Sequence, residues 1–259
     1  MNAAIPSNSP EGRPCPLCGE PKPAHFISHQ GHELFRCRDC GLVYLDPAPT
    51  NADIAQMYDD PYSGATESYF TKVEKKMRRS RIRARRMARM MAGGAAGKSR
   101  PGVGANGGFM AEAAREAGFR ATGGEPDGPA VDYARRHYPA NDFVRGTIEE
   151  ADLGGRRFDA VYCSEVIEHA PDCNRFVAAL ARVMRPQGLL YLTTPDISHW
   201  RVPRDLGRWD AFCPPAHCLF FSPGNLARLL DRHGFKVVRK LIAIKPGIKI
   251  LARRVESGG

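Results

Sequence analysis

No apolar run in this chain approaches the roughly 20 residues that a membrane-spanning helix requires, which excludes an integral helical membrane protein. Residues 1–14 lack the apolar core of a secretory signal; they are polar, rich in Pro, Ser and Asn, and are expected to form a frayed tail. No internal repeat is visible, which removes solenoids and propellers. With no export signal, metal ligation or buried thiols are better readings of the eight cysteines than a disulfide framework. Cytoplasmic residence is expected on the same grounds. Acidic residues are the minority, 28 against 38 basic, for a net charge of +10. Such a balance permits an anionic partner such as nucleic acid, a nucleotide or a membrane surface, but requires none.

What is present is ordinary for a globular protein: 259 residues, 42% hydrophobic and 25% charged, enough for one large domain plus a small module. After the tail, residues 15–48 hold two cysteine pairs among short strand-like stretches. Residues 49–97 read as a helical connector, and residues 98–259 alternate strand and helix patterns, the mark of an α/β sheet. The Gly- and Ala-rich residues 93–97 separate the last two.

Much of the excess charge falls in residues 72–89, where Val73, Met77, Ala84, Ala88 and Met91 follow helical spacing and Lys or Arg fills most other positions. Two readings stay open: a helix packed by one stripe with its basic face in water, or a contact for nucleic acid or an acidic substrate. No aromatic residue interleaves with these charges after Phe70, so a stacking platform for single strands is not indicated.

The cysteine pairs are Cys15-Pro16-Leu17-Cys18-Gly19 and Cys37-Arg38-Asp39-Cys40-Gly41. Each places two thiolates on one tight turn, and two such turns complete a tetrahedral shell for zinc. The gap, residues 19–36, has zinc-site spacing. Four thiolates leave no open position, so this zinc would be structural. His25, His29 and His32 lie in the gap and are expected at the surface.

The loop Gly102-Val103-Gly104-Ala105-Asn106-Gly107-Gly108-Phe109 follows a short strand and opens a helix over residues 109–117. Its small residues let the backbone approach a ligand, whose anionic groups the helix N-terminus favours. Glu125, at the end of the next strand, can accept both hydroxyls of a ribose. Read alone, this is also a dinucleotide fingerprint. Buried strands are expected over residues 158–163 and 189–194, a helix over 175–184 closed by 185–188, a helix over 226–233, and a terminal antiparallel pair flanking Pro246-Gly247.

The order of several weak motifs is specific. The cysteine knuckle runs into Leu42-Val43-Tyr44-Leu45-Asp46-Pro47. Gly124-Glu125-Pro126 follows the glycine loop, and Phe158-Asp159-Ala160-Val161 leads to Glu165-Val166-Ile167-Glu168-His169. Next come Met184-Arg185-Pro186-Gln187-Gly188, Thr194-Pro195-Asp196, and His217-Cys218-Leu219-Phe220-Phe221-Ser222. Over nearly its whole length the chain resembles the class I S-adenosylmethionine-dependent methyltransferases that carry an N-terminal zinc ribbon. The resemblance implies a Rossmann-like α/β sheet, mostly parallel with the last strand antiparallel and helices on both faces, plus a small zinc ribbon. It implies that Gly102, Gly104, Asn106 and Gly108 line the methionine moiety of S-adenosylmethionine. Glu125 and Pro126 would hold the ribose, Thr147, Ile148 and Glu149 would lie by the adenine, and Cys163 and Ser164 would edge the methyl-donor pocket. The chain departs from the pattern in its first strand, where the usual acidic residue is absent, and at Asn106, which replaces a glycine. A non-catalytic binding protein with a degenerate cofactor loop therefore stays open.

For chemistry, the candidates are His169, which follows the fourth strand of the sheet, and His217, in an aromatic insertion with Trp200, Trp209 and Phe212. Either suits proton removal from an acceptor hydroxyl near neutral pH; the alternatives are bracing of the next helix and packing. The expected reaction is O-methylation of a small or carrier-bound metabolite, with an RNA acceptor as the alternative.

Overall fold

The computed structural model describes residues 12–50, 53, 71–92, 103–104 and 108–255. The tail up to residue 11, most of the connector before the basic helix, and Gly102 and Asn106 of the glycine loop lie outside the described residues.

The body is one layer of strands between two layers of helices. Parallel strands β4 (Val103–Gly104), β5 (Thr122–Glu125) and β6 (Asp142–Arg145) form one sheet. β7 (Phe158–Ser164) and β8 (Met184–Thr194) form a second parallel pair, extended antiparallel by β11 (Ile248–Arg254) and β10 (Phe235–Lys240). β4 lies beside β7, so the order across the layer is β6-β5-β4-β7-β8-β11-β10. Strand order reverses between β4 and β7, and ligands of open α/β sheets bind outside the carboxyl ends at such a point.

The apolar runs of β7 and β8 divide their side chains by simple alternation. Ala160, Tyr162, Leu189 and Tyr191 face one core, which also holds Ala84 and Met87 of α1 (Val73–Ala92), Met110, Ala113 and Ala114 of α2 (Phe109–Glu116), and Val131 and Ala134 of α3 (Gly128–His137). Val161, Cys163, Leu190 and Leu192 face the other, with Phe176, Val177 and Leu180 of α4 (Cys173–Val183) and Leu226, Leu229 and Leu230 of α5 (Pro223–Arg232). Asp172 caps α4 through its carboxylate, and Ser222 and Asn225 form a capping box ahead of α5. The charged stretch is indeed a long helix, its buried face formed by Met77, Ser80, Ala84 and Met87. Arg83 leaves the solvated set and donates to the Tyr162 hydroxyl at 2.6 Å.

Two elements differ from expectation. The helix expected to reach Met184 ends at Val183, and Met184 opens β8 by pairing with Phe158. Pro186 has no N–H to give the ladder, so the register jumps and resumes at Ala160 opposite Leu189. The second difference is β9 (Leu219–Phe220), from the insertion between β8 and α5. It joins the N-terminal antiparallel sheet of β1 (Ala24–His29), β2 (His32–Arg36) and β3 (Val43–Asp46), pairing Val43 with Phe220 and Tyr44 with Leu219. Cys15, Leu17, Leu34, Phe35 and Leu42 belong to the same core as α4 and α5, so the module shares its hydrophobic stabilisation with the sheet. Ordered contacts reach back into the tail: the Arg13 N–H donates to Asp46 at 2.8 Å and the Tyr44 hydroxyl to the Arg13 carbonyl at 2.6 Å. Among the described residues, no helix is long and apolar enough to cross a membrane.

Candidate active site and metal cluster

Each cysteine pair is a tight turn closed by backbone bonds, Gly19 N–H to Cys15 and Gly41 N–H to Cys37. Both glycines sit at positive φ, 81° and 72°, which a β-carbon would strain. The turns face each other, with Cys15 and Cys40 sulfurs 3.6 Å apart and Cys18 and Cys37 sulfurs 3.4 Å apart. All four lie within 4.8 Å of one another, and a tetrahedral shell with Zn–S of about 2.3 Å has edges of about 3.8 Å. The Cys40 thiol hydrogen-bonds to Cys15 and draws it down to about 5, whereas Cys40 is itself pushed up and burial lifts Cys18 to about 11. A divalent cation is what would hold all four as thiolates at neutral pH, so the donor set suits zinc. The neighbouring histidines are not part of it: His25 bonds Glu33 at 2.7 Å and His29 packs edge-on against Phe212.

At the carboxyl ends of the parallel strands the structure places several expected cofactor residues. Gly104 ends β4, and Gly108 caps α2 at φ 82°, where a β-carbon would come within 2.7 Å of the Tyr138 ring. Glu125 ends β5 and is half-buried, its carboxylate accepting the Asp127 N–H at 3.3 Å, with Pro126 beside it. Thr147, Ile148 and Glu149 form the turn after β6, and burial raises the Glu149 carboxyl. Cys163 and Ser164 end β7; burial pushes the Cys163 thiol up, which makes it inert at neutral pH. A half-buried acid, a glycine-capped helix start and a shared strand edge fit a nucleoside with a charged amino-acid tail.

Beyond β7 the chain turns through Glu165, at φ 54°, into a single 3-10 turn, Ile167–His169. The end of β8 clamps this turn. Ser164 donates to Thr193, Thr193 to Glu165 and Thr194 to Glu168, at 2.7, 2.7 and 2.8 Å. The insertion covers it from the other side: Cys218 N–H donates to the Glu168 carbonyl at 2.9 Å. His169 Nδ1 donates to the Ala216 carbonyl at 2.7 Å and His217 Nδ1 to the Ala211 carbonyl at 2.8 Å. The rings meet edge to face, 4.6 Å between centroids. The two candidate histidines, 48 positions apart by number, are thus neighbours. Burial lowers both, His217 to about 4, so each is a neutral imidazole at pH 7. Glu168 is the residue whose place in this group the sequence did not announce; it is fully buried, and burial raises its carboxyl to about 8. The only signal was a Glu-His dipeptide just past a buried strand.

Residues 78–240 match the family model described as "Methyltransferase domain". The chain belongs to the class I S-adenosylmethionine-dependent methyltransferases.

A probable S-adenosylmethionine-dependent methyltransferase of Mycolicibacterium smegmatis is 32% identical over 50% of this chain and 49% of the relative. A ubiquinone biosynthesis O-methyltransferase of Bartonella tribocorum is 31% identical over 54% and 60%. The chain therefore spans about half the length of the curated relatives it matches. In fold it is similar to the Burkholderia thailandensis 1,6-didemethyltoxoflavin-N1-methyltransferase, solved with 1,6-didemethyltoxoflavin and S-adenosylhomocysteine. That likeness has a TM-score of 0.57 at 20% identity and covers 90% of this chain and 99% of the other.

Proposed function

We propose that this methyltransferase methylates a hydroxyl oxygen of a small or carrier-bound metabolite, with His169 and His217 receiving the acceptor. The observation that carries this reading is the pair of neutral, largely buried imidazoles just past the carboxyl end of β7, under an insertion rich in aromatic side chains. S-adenosylmethionine supplies, when bound, an electrophilic methyl carbon on a sulfonium. Gly102, Gly104, Asn106 and Gly108 would hold its amino-acid end, Glu125 and Pro126 its ribose, and Thr147, Ile148 and Glu149 its adenine. Cys163 and Ser164 would border the methyl group. The acceptor oxygen forms its new bond to carbon as the sulfonium–carbon bond breaks, and the hydroxyl proton must leave. Backbone carbonyls only accept hydrogen bonds, so both Nδ1 atoms carry their protons and each Nε2 offers a lone pair for that proton.

Zinc held by Cys15, Cys18, Cys37 and Cys40 would be structural. We read residues 1–14 as a tail, 15–48 as a zinc ribbon, 49–97 as a connector and 98–259 as the catalytic domain, in a cytoplasmic protein. A second reading, an RNA acceptor, has in its favour the exposed Lys75, Arg78, Arg79, Arg85 and Arg86 of α1; steep salt dependence of RNA binding would support it.

Calorimetric titration with S-adenosylmethionine, S-adenosylhomocysteine and NADH tests the core of the reading. The two sulfur ligands should bind and NADH should not; binding of NADH alone overturns it. With an acceptor in hand, His169→Ala and His217→Ala should each lower turnover by about 100-fold or more while leaving S-adenosylmethionine affinity intact. Unchanged turnover in both removes them from the chemistry.

A further inference from the structure

We infer that the loop between β10 and β11, with Trp200 tied beside it, is the docking surface for an acidic carrier protein that presents the acceptor. Among the described residues, the most exposed large apolar side chains are Ile242, Trp200 and Ile244, at 92%, 79% and 70%. They come from two segments that hydrogen bonds join: His199 Nε2 donates to the Ala243 carbonyl and the Arg201 guanidinium to the Ile244 carbonyl, both at 3.3 Å. Trp200 is held in place, stacked on His199 and covered by the Arg201 guanidinium 4.6 Å from its ring centre. A cluster of exposed apolar groups fixed in this way marks an interaction site, and a rigid tryptophan loses little freedom when a partner covers it.

The surroundings are cationic. From Phe235 to Val255 the sequence has seven Lys or Arg and no acid. Lys236, Arg239, Lys240 and Lys245 are exposed, as is Arg201 across the joint. Such a field draws in an acidic partner and repels a second copy of this chain. β10 is also the edge of the sheet, where cations discourage pairing between strands; that purpose gives no reason for the two exposed isoleucines beside it.

The surface lies at the active-site edge. Ile248, just past the loop, pairs with Thr194 at the carboxyl end of β8, and Val166, in the turn that leads to His169, is exposed as well. The cations continue from the loop along β10 to Lys236, four residues from Lys240, or about 13 Å. A flat lipid surface resting on the loop meets only the near ones, whereas a rounded acidic domain seated against the loop and the flank of the sheet meets them all. A carrier seated there stands over the acceptor side, from which a flexible arm reaches inward. What the arm delivers rests on the methyl-transfer reading above; the docking does not.

The test uses the full chain. Its two tryptophans are Trp200 and Trp209, so Trp209→Phe leaves Trp200 to report its own burial by fluorescence. The probe is a purified, tryptophan-free acidic acyl carrier protein bearing its phosphopantetheine arm. Titration should shift Trp200 emission to the blue and saturate, and calorimetry on the unaltered chain should show the same binding, which decides even if the reporter variant misfolds. Raising salt from about 0.05 M to about 0.5 M should weaken binding by more than about tenfold. Ile242→Ser with Ile244→Ser, and separately Lys240→Glu with Lys245→Glu, should each do the same. Absence of carrier binding, or binding that both pairs of substitutions leave unchanged, overturns the inference. So does a blue shift with phosphatidylglycerol vesicles where the carrier gives none. S-adenosylmethionine titrated in parallel separates the two claims: cofactor binding without carrier binding sinks only the docking surface, and carrier binding without cofactor binding sinks only the methyl-transfer reading.

Discussion

The cysteine cluster and the group around Glu168 differ in how they are built. The four cysteines come from two three-residue turns, each closed by its own backbone bonds, and their shell is complete. Glu168, His169 and His217 come from two segments of the α/β body; the imidazoles are oriented by the Ala216 and Ala211 carbonyls and the Glu168 carboxyl by the Thr194 hydroxyl. The two are mechanically joined, since the Leu45 N–H donates to the Cys218 carbonyl and the Cys218 N–H to Glu168, both at 2.9 Å. The N-terminal module thus forms a wall of the candidate active site, and its cysteines serve that wall.

The largest effect should come from breaking the closed shell. Cys37→Ser removes one of the four thiols that would hold zinc, an ion that as a structural centre is worth about 10 kcal/mol to folding. Zinc content should fall to near zero and the melting midpoint by about 10 °C or more, by elemental analysis and calorimetry. Retention of both would strip the cluster of its structural role.

Phe220→Ala attacks the joint between the clusters. Phe220 is fully buried, pairs with Val43 and packs against Phe212 at 5.0 Å. A cost of about 3–5 kcal/mol is expected from urea unfolding. A loss under about 1 kcal/mol would mean that the module and the sheet domain are stabilised separately.

Glu125→Ala should touch neither cluster. S-adenosylmethionine affinity should drop by about 10- to 100-fold, from hydrogen bonds to a charged group, at an unchanged melting temperature. Equal affinity by calorimetry would detach Glu125 from the ribose.

The smallest effect concerns the docking of the module. Asn174 donates to the Pro16 carbonyl at 2.6 Å and receives the Nε2 proton of His233 at 2.9 Å, beside the bond from Arg232 to Leu17. Burial, with Arg232 nearby, holds His233 below its ordinary value. As pH falls through about 6.5, the unfolded chain binds a proton that the folded chain resists, so this contribution to stability is lost with acidification. The melting midpoint should decline slightly from pH 7 to about 5.5, and less in His233→Gln; identical declines would exclude His233.

Much of the architecture was legible because its cause is local. The knuckles, the stripe on α1, the apolar runs of β7 and β8 and the hairpin of β10 and β11 follow from spacing and turn residues. The short strands were harder. β6 and β9 have four and two residues, too few for a period to show. The Ala151 N–H closes the turn after β6 onto the Thr147 carbonyl, and the Gly146 N–H ties its start to the Glu125 carbonyl at the end of β5, backbone bonds that no side-chain pattern advertises.

By itself the sequence determined the four-cysteine cluster, because a ligand pair three residues apart needs only one turn to bring its sulfurs together. It also determined the α/β order and hence which strand ends face the cofactor. Only the tertiary structure decided what surrounds Glu168. His217 reaches His169 because β9 is drawn onto β3, and the Glu168 carboxyl is buried because β8 and the insertion close over it. Those contacts span segments far apart in the chain and depend on packing, which spacing along a sequence does not encode.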